Sequence, residues 1–361
     1  MIYIFIVLFL LFNIFSKKRR NSEIFLKITM ILFTLISAFR SYNVGTDSRM
    51  YIGEFFKIEE ILFSDIGTLR LEKGYITLYK IIDIFTNNYQ WVFIVTSIII
   101  NYSMYKFIKK YSENYAFSSL LYFSLNIYFA YMCIIRQGIA LAIILLGFDY
   151  IINKKYLTFL LLCLFASLFH TSAIIMIILI PLRMLNFKAT LNNVLLISVC
   201  GSVISILISK PIFMIFANLL TDYNKYIGHS IYFEKSLITA PLYTIFNFIL
   251  LIMPFIIFKK EKMEAILKEN RDINFIVLIL CVATIISAAS INISILSRLF
   301  YYLNIFNIIY VTNLIEKSKN KIVYQIIIIV ITLCYVGVIT NMGWYGVNDY
   351  TFCWEVPKLI R

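Results

Sequence analysis

The sequence predicts an all-α, polytopic integral membrane protein. Of its 361 residues, 61% are apolar and 14% are charged, whereas a soluble domain has roughly 45–50% apolar and about 25% charged residues. Uncharged stretches long enough to cross the hydrocarbon core recur between Ile2 and Thr340. The lysines and arginines fall in short clusters between these stretches, as the positive-inside rule describes. The composition excludes a soluble globule, and the net charge of +14 indicates membrane topology rather than nucleic-acid binding.

The first apolar run, residues 2–16, comes before the basic cluster at 17–20. A secretory signal peptide has the opposite order, so this run is expected to be a retained first span with its short N-terminus outside. Each later basic cluster is taken as cytoplasmic. On that basis the predicted full spans are 2–16, 22–39, 89–105, 116–133, 137–153, 190–208, 237–257, 273–290, 299–315 and 322–340.

The run 156–182 would cover about 40 Å as one helix, which suits either one long tilted span or two half-depth helices. Arg183 and Lys188 follow this run, and keeping both of them inside requires a hairpin. We therefore predict about twelve membrane segments, with roughly ten full spans and a broken half-helix pair around His170.

The run from Phe117 to Ile152 would make a helix of about 54 Å, so it must turn back near Ile134 to Gly138. Residues 40–86 mix acids and bases, which predicts an ordered external loop with short amphipathic helices. A second external loop is predicted at 209–236, and its apolar start, Pro211 to Leu220, is expected to dip into the interface. No repeat or low-complexity linker interrupts the chain, so residues 1–361 are predicted to form one integral membrane domain.

Ionisable residues near apolar segments are candidates for function because a charge within the bilayer needs a partner or a wet cavity. The topology puts a widely separated set of them on or just below the outer face: Arg40, Asp47, Glu72, Arg136, His170 and Arg298. Arg136 and Arg298 each lie at a helix end among apolar neighbours. Each could simply extend to the lipid headgroups. Together in one cavity they would form a strong anion site, and a lipid-linked pyrophosphate is the obvious anion at that depth.

The other candidates each have a structural alternative. A lone histidine such as His170 is more often a packing residue, but the predicted helix break at this position favours a site. The stretch from Ser41 to Asp47 could be an Asx-type turn with a helix cap, or a sugar-binding loop in which Asp47 acts as a base. Residues 72–75, Glu-Lys-Gly-Tyr, could be a carboxylate, hinge and sugar-stacking aromatic, or only a junction between loop and helix.

Sequence signatures of nucleotide-binding and metal-binding sites are lacking. The six cysteines show no CxxC or Cys/His spacing, which argues against a metal site or a disulfide framework. No cofactor and no metal are therefore expected, and the free energy for the function should come from an activated lipid substrate or from an ion gradient.

Five short blocks resemble the EpsG family of Wzy-like polysaccharide polymerases, in the expected order. The blocks are YNVGTDSRMY (42–51), EKGY (72–75), IRQGIALAI (135–143), FHTSAI (169–174) and SRLFYY (297–302). The resemblance covers most of the chain through these landmarks, and none is claimed for 190–270 or for the tail NDYTFCWEV.

The resemblance implies a glycosyltransferase of the bacterial cytoplasmic (inner) membrane, similar to the multi-span lipid-sugar transferases of the GT-C type. Such polymerases join oligosaccharide repeat units carried on undecaprenyl pyrophosphate at the outer, extracytoplasmic side, and the product is a capsule, an O-antigen or an exopolysaccharide. The implied partners are undecaprenyl-pyrophosphate-linked oligosaccharide, membrane lipids, a chain-length regulator and a flippase. No nucleic acid is expected.

The chemistry of such a polymerisation, which needs a pyrophosphate clamp, an acceptor base and carbohydrate contacts, suggests hypothetical roles for the candidate residues. Arg136 and Arg298, with Arg40, would stabilise charge on the leaving pyrophosphate. His170 would orient the acceptor hydroxyl or the phosphate, and Asp47 or Glu72 would take the acceptor proton. The expected sugar platforms are Tyr42, Tyr51 and Tyr75. Further substrate contacts are expected at Arg40, Asn43, Gly45, Thr46 and Gln137.

Two other functions use the same residue types. A transporter or flippase of lipid-linked sugars would have charges through the membrane midplane and often an inverted repeat. Here the ionisable residues gather near the outer face, and the two halves of the sequence show no symmetry. A glycan ligase would use the same lipid-linked donor and a similar pyrophosphate clamp, and only the identity of its acceptor would distinguish it.

Overall fold

The computed structural model describes residues 2–16, 21–61, 71–219 and 235–357, and these residues form helices joined by short turns. The described residues contain one isolated antiparallel β-bridge, between Arg40 and Phe352. The predicted all-helical fold is therefore confirmed. The basic cluster at 17–20 and most of the second predicted loop, 220–234, lie outside the described residues.

The chain divides into two compact units, Met1–Ile177 with Lys319–Arg361, and Ile178–Ser318. The prediction of one integral membrane domain stays a prediction. The first unit begins with α1 (Ile2–Ile14), α2 (Glu23–Ala38), α3 (Ser48–Glu59), α4 (Lys73–Phe85), α5 (Gln90–Tyr111), α6 (Tyr115–Ser124), α7 (Ile127–Cys133), α8 (Ile135–Leu146), α9 (Phe148–Ile152), α10 (Tyr156–Ser167) and a 3₁₀ helix at Thr171–Ile178.

The second unit contains α11 (Leu179–Met184), α12 (Leu191–Leu195), a π-helical turn (Leu196–Cys200), α13 (Gly201–Leu219), α14 (Thr239–Ile257), α15 (Lys260–Glu269), α16 (Arg271–Ala289), a 3₁₀ turn (Ser294–Leu296), α17 (Ser297–Asn304) and α18 (Asn307–Glu316). The last helix, α19 (Lys321–Asn341), belongs to the first unit. Within the second unit, α16 packs against α13, α14 and α17.

Several helices are long and apolar enough to span a bilayer, which confirms a multi-span membrane protein. Among the described residues, 5 helices pass this test alone, and up to 7 pass if each bent helix pair is one span. The bent pairs are α6 with α7, at 56°, and the 3₁₀ turn and α17 with α18, at 41°. The predicted number of about twelve is not confirmed, because the remaining apolar helices are short. At 1.5 Å per residue, α1 is only about 20 Å long, less than the roughly 30 Å of a hydrocarbon core.

Two predicted helix breaks are confirmed. The helix before His170 ends at Ser167, and the following 3₁₀ helix begins at Thr171. The run 117–152 is interrupted at Ile134, between α7 and α8. A further break at Asn126 was not predicted. It has a left-handed backbone, with φ of 61°, which asparagine adopts more readily than most residues.

The predicted end of the span at 190–208 is wrong. The span expected to end at residue 208 continues as α13 to Leu219, with Pro211 inside the helix. The segment after Pro211 remains apolar, and membrane helices accommodate proline more readily than soluble ones do. The described start of the second predicted loop is therefore helical.

The predicted external loop 40–86 does contain two short amphipathic helices, α3 and α4. They pack against each other through buried aromatic residues that also contact α5 and the start of α8. This hydrophobic cluster includes Tyr51, Phe55, Tyr75, Tyr79 and Phe93. This cluster holds Glu72, the residue immediately before α4, beside the first turn of α8, where the candidate site lies.

Candidate functional site

Glu72 joins two other predicted site residues in the first unit. Its Oε2 accepts a hydrogen bond from Nη1 of Arg136 at 2.9 Å, and its Oε1 lies 3.0 Å from Nδ1 of His170. The backbone N–H of Thr171 donates to the same Oε1 at 3.3 Å. The three side chains are 15%, 18% and 14% exposed, so they are largely desolvated yet remain accessible. We call Glu72, Arg136 and His170 the Glu72 cluster.

The backbone around residue 74 brings the start of α4 close to the turn that carries His170. Glu72 has an extended conformation immediately before α4, and the N–H of Gly74 donates to the carbonyl of Leu168 at 2.8 Å. A Cβ at position 74 would lie 2.8 Å from that oxygen and 3.0 Å from the carbonyl carbon. Glycine is therefore required where α4 begins, because any side chain would push away the turn that carries His170.

Aromatic rings hold Arg136 in place. Its guanidinium lies 5.3 Å from the ring centre of Tyr75 and 5.9 Å from that of Tyr51, within the range of cation–π attraction. Tyr51 is 2% exposed and Tyr75 is 0% exposed. This burial corrects the predicted sugar-platform role of these two tyrosines, because their rings pack inside the protein and orient the arginine.

The electrostatics of the cluster keep Glu72 ionised. Burial alone would raise its pKa, but the hydrogen bond with His170 and the charge of Arg136 outweigh burial and lower the pKa of Glu72 to about 2. A general base works best when its pKa lies near the operating pH. The predicted role of Glu72 as the base therefore does not fit its environment, whereas a role in orienting Arg136 and His170 does.

Glu54 is a carboxylate that the sequence analysis missed. Its Oε2 accepts a hydrogen bond from the hydroxyl of Tyr75 at 2.8 Å, and that hydroxyl also bonds the hydroxyl of Tyr79. Glu54 follows Tyr51 by three positions on α3, so the two side chains lie on the same helix face. That spacing within the block around YNVGTDSRMY was the available signal, since it places Glu54 beside a tyrosine of the site.

Arg40 is fully buried, and its hydrogen bonds are made with residues outside the Glu72 cluster that it was expected to assist. It is 0% exposed, and it donates to the backbone carbonyls of Ser37 and Met132 and to Oγ of Ser48. Its guanidinium also lies 4.0 Å from the ring centre of Phe93. These contacts assign Arg40 to the structure of the loop and not to the predicted substrate-binding set.

The loop after α2 is held by the C-terminal tail. The N–H of Gly45 donates to Gly346 at 2.9 Å, and the N–H of Thr46 donates to Tyr345 at 3.1 Å. Gly45 has φ of +99°, a conformation that side chains disfavour. The predicted contact residues Gly45 and Thr46 thus have a clear structural role in this pairing, and Thr46 is exposed beside it.

The neighbouring loop side chains are exposed or half-buried. Asn43 accepts a hydrogen bond from Arg49 at 2.7 Å, and the Arg49 guanidinium lies 5.6 Å from the ring centre of Tyr42. Asp47 is half-buried just before α3, and its side chain makes no capping hydrogen bond. The roles predicted for Tyr42, Asn43 and Asp47 stay predictions.

Two further predicted residues complete the set. Gln137 is 1% exposed and follows Arg136 in the first turn of α8, so it lies in the protein interior. Arg298 belongs to the second unit, where it is the second residue of α17 and is half-buried. Its expected role as a second pyrophosphate ligand stays a prediction.

Comparison with known proteins gives one match. The model of the EpsG family matches residues 23–352. That range contains the Glu72 cluster, Glu54 and Arg298. No curated protein and no solved structure matches the chain.

Proposed function

Because the chain belongs to the EpsG family, we propose that it is a Wzy-type membrane glycosyltransferase. It polymerises undecaprenyl-pyrophosphate-linked oligosaccharide repeat units on the outer face of the bacterial cytoplasmic membrane. Its partners are that lipid-linked oligosaccharide, the surrounding lipids, a chain-length regulator and a flippase. The product is a capsule, an O-antigen or an exopolysaccharide.

The observation that carries this proposal is the shared carboxylate of Glu72. One of its oxygens binds Arg136 and the other binds His170, so two groups that can bind anions meet at one carboxylate that is 15% exposed. Arginine matches phosphate oxygens through its planar fork of N–H donors. A lipid-linked pyrophosphate is an anion that such a pair can bind at a membrane surface.

Arg136 has donors beyond the one that Glu72 uses. Its Nε is buried and has no hydrogen-bond partner among the described residues. Because Nε is buried, a pyrophosphate oxygen would instead bind the exposed part of the Arg136 side chain, which is 18% accessible, and would keep the salt bridge to Glu72 intact. The same guanidinium would then stabilise the charge that develops as the pyrophosphate leaves.

Glu72 gives His170 a defined orientation. An ionised carboxylate only accepts hydrogen bonds, so Nδ1 of His170 carries the proton in this contact. In its imidazolium form His170 donates from both ring nitrogens, from Nδ1 to Glu72 and from Nε2 to the pyrophosphate. Glu72 is thus a positioning residue, while Arg136 and His170 are catalytic.

The reaction transfers the growing glycan to the next unit. A hydroxyl of the incoming lipid-linked unit attacks the anomeric carbon of the growing chain, and the bond from that carbon to the pyrophosphate oxygen breaks. The electron pair stays on the pyrophosphate, which is released as undecaprenyl pyrophosphate. The activated donor supplies the free energy.

The direct experiment is deletion of the gene followed by size analysis of the surface glycan. We expect a ladder of chain lengths to collapse to single repeat units, and we expect re-expression of the wild-type chain to restore the ladder. Accumulation of lipid-linked units on the inner side would instead indicate a flippase. Accumulation of full-length glycan on its lipid carrier would indicate a ligase.

A further inference from the structure

The Glu72 cluster leaves one chemical task unassigned. Attack by a sugar hydroxyl requires a group that accepts its proton, and Glu72, with a pKa of about 2, is a weak base. The acceptor of that proton must be a second carboxylate or an equivalent group close to Arg136, where the anomeric carbon and its pyrophosphate would lie.

Glu54 occupies such a position. Tyr51, one turn earlier on α3, and Tyr75, which donates to Glu54 at 2.8 Å, are the two tyrosines whose rings flank the Arg136 guanidinium. Glu54 therefore approaches this guanidinium from α3, while Glu72 approaches it from the start of α4. Its side chain is half-buried, so a substrate hydroxyl can reach it.

We propose that Glu54 is the general base that takes the proton of the acceptor hydroxyl, with Tyr75 and Tyr79 holding its carboxylate in place. This inference rests on the proposed function. The proton of the acceptor passes to a carboxylate oxygen of Glu54, and the acceptor oxygen forms the new bond to the anomeric carbon. The bond to pyrophosphate breaks, its oxygen keeps the electron pair, and Glu54 later releases the proton to water.

The electrostatic surroundings of Glu54 suit this role. Burial raises the pKa of Glu54, and the negative charges of Glu72 and Asp47 act in the same direction. The charge of Arg136 and the hydrogen bond from Tyr75 oppose that increase. The pKa values of the two carboxylates beside this guanidinium are thus shifted in opposite directions. Glu72 stays ionised, and Glu54 is the stronger base.

The test uses the purified full-length protein in proteoliposomes that contain the lipid-linked single repeat unit extracted from the deletion strain. Release of undecaprenyl pyrophosphate is measured against pH. For the wild type, we expect the rate to fall at low pH as Glu54 becomes protonated. Glu54→Gln should lower the rate roughly 10²–10⁴-fold and abolish this low-pH decline. The matched control is Glu60→Gln, because Glu60 is an exposed carboxylate at the end of the same helix.

A second variant keeps the test decisive if Glu54→Gln does not fold. Tyr75→Phe retains the ring beside Arg136 but removes the hydrogen bond that favours the ionised carboxylate. The low-pH decline should therefore move to higher pH, whereas a purely structural role for Glu54 would leave its position unchanged.

Three results would overturn the inference. Glu54→Gln could keep more than a tenth of the wild-type rate with the same pH profile. Tyr75→Phe could leave the low-pH decline where it is. Asp47→Asn, instead of Glu54→Gln, could abolish that decline, which would make Asp47 the base. In contrast, a wild-type protein that releases no undecaprenyl pyrophosphate at any pH would overturn the proposed function itself.

Discussion

Two arginines of the first unit, Arg40 and Arg136, have contrasting environments. Arg40 is 0% exposed, and two of its N–H groups bind backbone carbonyls. No carboxylate forms a salt bridge with it in the part of the chain that the structure describes. Arg136 is 18% exposed and shares a carboxylate with His170. Backbone carbonyls hold Arg40 inside the fold, whereas side chains hold Arg136 where it is partly exposed, as its proposed role in substrate binding requires.

The largest effect is expected at Arg136, the arginine proposed to bind substrate. In Arg136→Lys the charge and the salt bridge to Glu72 remain, but the planar fork is lost. We expect polymer formation to fall roughly 10²–10³-fold, because one donor to the leaving group is removed. The measurement is undecaprenyl pyrophosphate release, with size-exclusion elution to verify folding. Normal polymer length in this variant would contradict the assignment, and Arg298→Lys applies the same test to the second unit.

The Glu72 cluster should also stabilise the fold in a pH-dependent way. The pKa of Glu72 is lowered from 4.5 to about 2 in the folded protein. Its stabilisation is therefore complete above about pH 4.5 and is lost as the pH falls towards about 2, with a total of up to about 3 kcal/mol. The free energy of unfolding of the wild type and of Glu72→Gln in detergent should differ most at neutral pH and converge in acid. A difference that does not change with pH would contradict the salt-bridge geometry.

The structural side of the comparison is tested by Arg40→Met. This variant leaves the carbonyls of Ser37 and Met132 buried without their donor, which should cost about 2–3 kcal/mol of unfolding free energy. Thermal unfolding in detergent measures this loss. The folded fraction should keep its specific activity within tenfold of wild type. A stable but inactive Arg40→Met protein would show that Arg40 acts on substrate after all.

A smaller effect is expected at Gly74, where the start of α4 contacts the turn before His170. Gly74→Ala places a Cβ against the carbonyl of Leu168, so the turn before His170 must move. The strain should lower the free energy of unfolding by about 1–2 kcal/mol. Activity should fall by more than this loss of stability explains, because His170 is no longer aligned with Glu72. Gly53→Ala is the matched control, because a Cβ there meets nothing within 4 Å. Equal activity in the two variants would argue against the close contact.

The smallest effect is expected at the exposed arginine of the same loop. Arg49→Ala removes a surface hydrogen bond to Asn43 and a contact with Tyr42. We expect a change of less than about 0.5 kcal/mol in unfolding free energy, since solvent screens such contacts. A large loss of activity with unchanged stability would instead support the predicted substrate contacts of Tyr42 and Asn43.

The sequence predicted the individual site residues better than their roles. Arg136, Glu72 and His170 were identified because charged and polar groups are rare in an apolar chain, and the structure brings these three together. Their roles depend on contacts across 64 and 98 positions of sequence, which local patterns do not report. Glu54 was missed for the same reason, because its partner Tyr75 lies on another helix.

The sequence by itself determined that the chain is helical, that it crosses a membrane several times, and that it breaks near Ile134 and His170. These features follow from composition, the length of apolar runs and local turn chemistry, all of which are read along the chain. Only the tertiary structure decided which arginine belongs to the framework and which to the site, and which carboxylate stays ionised. Burial and the distance between groups on different helices set those properties, and both exist only after the helices pack.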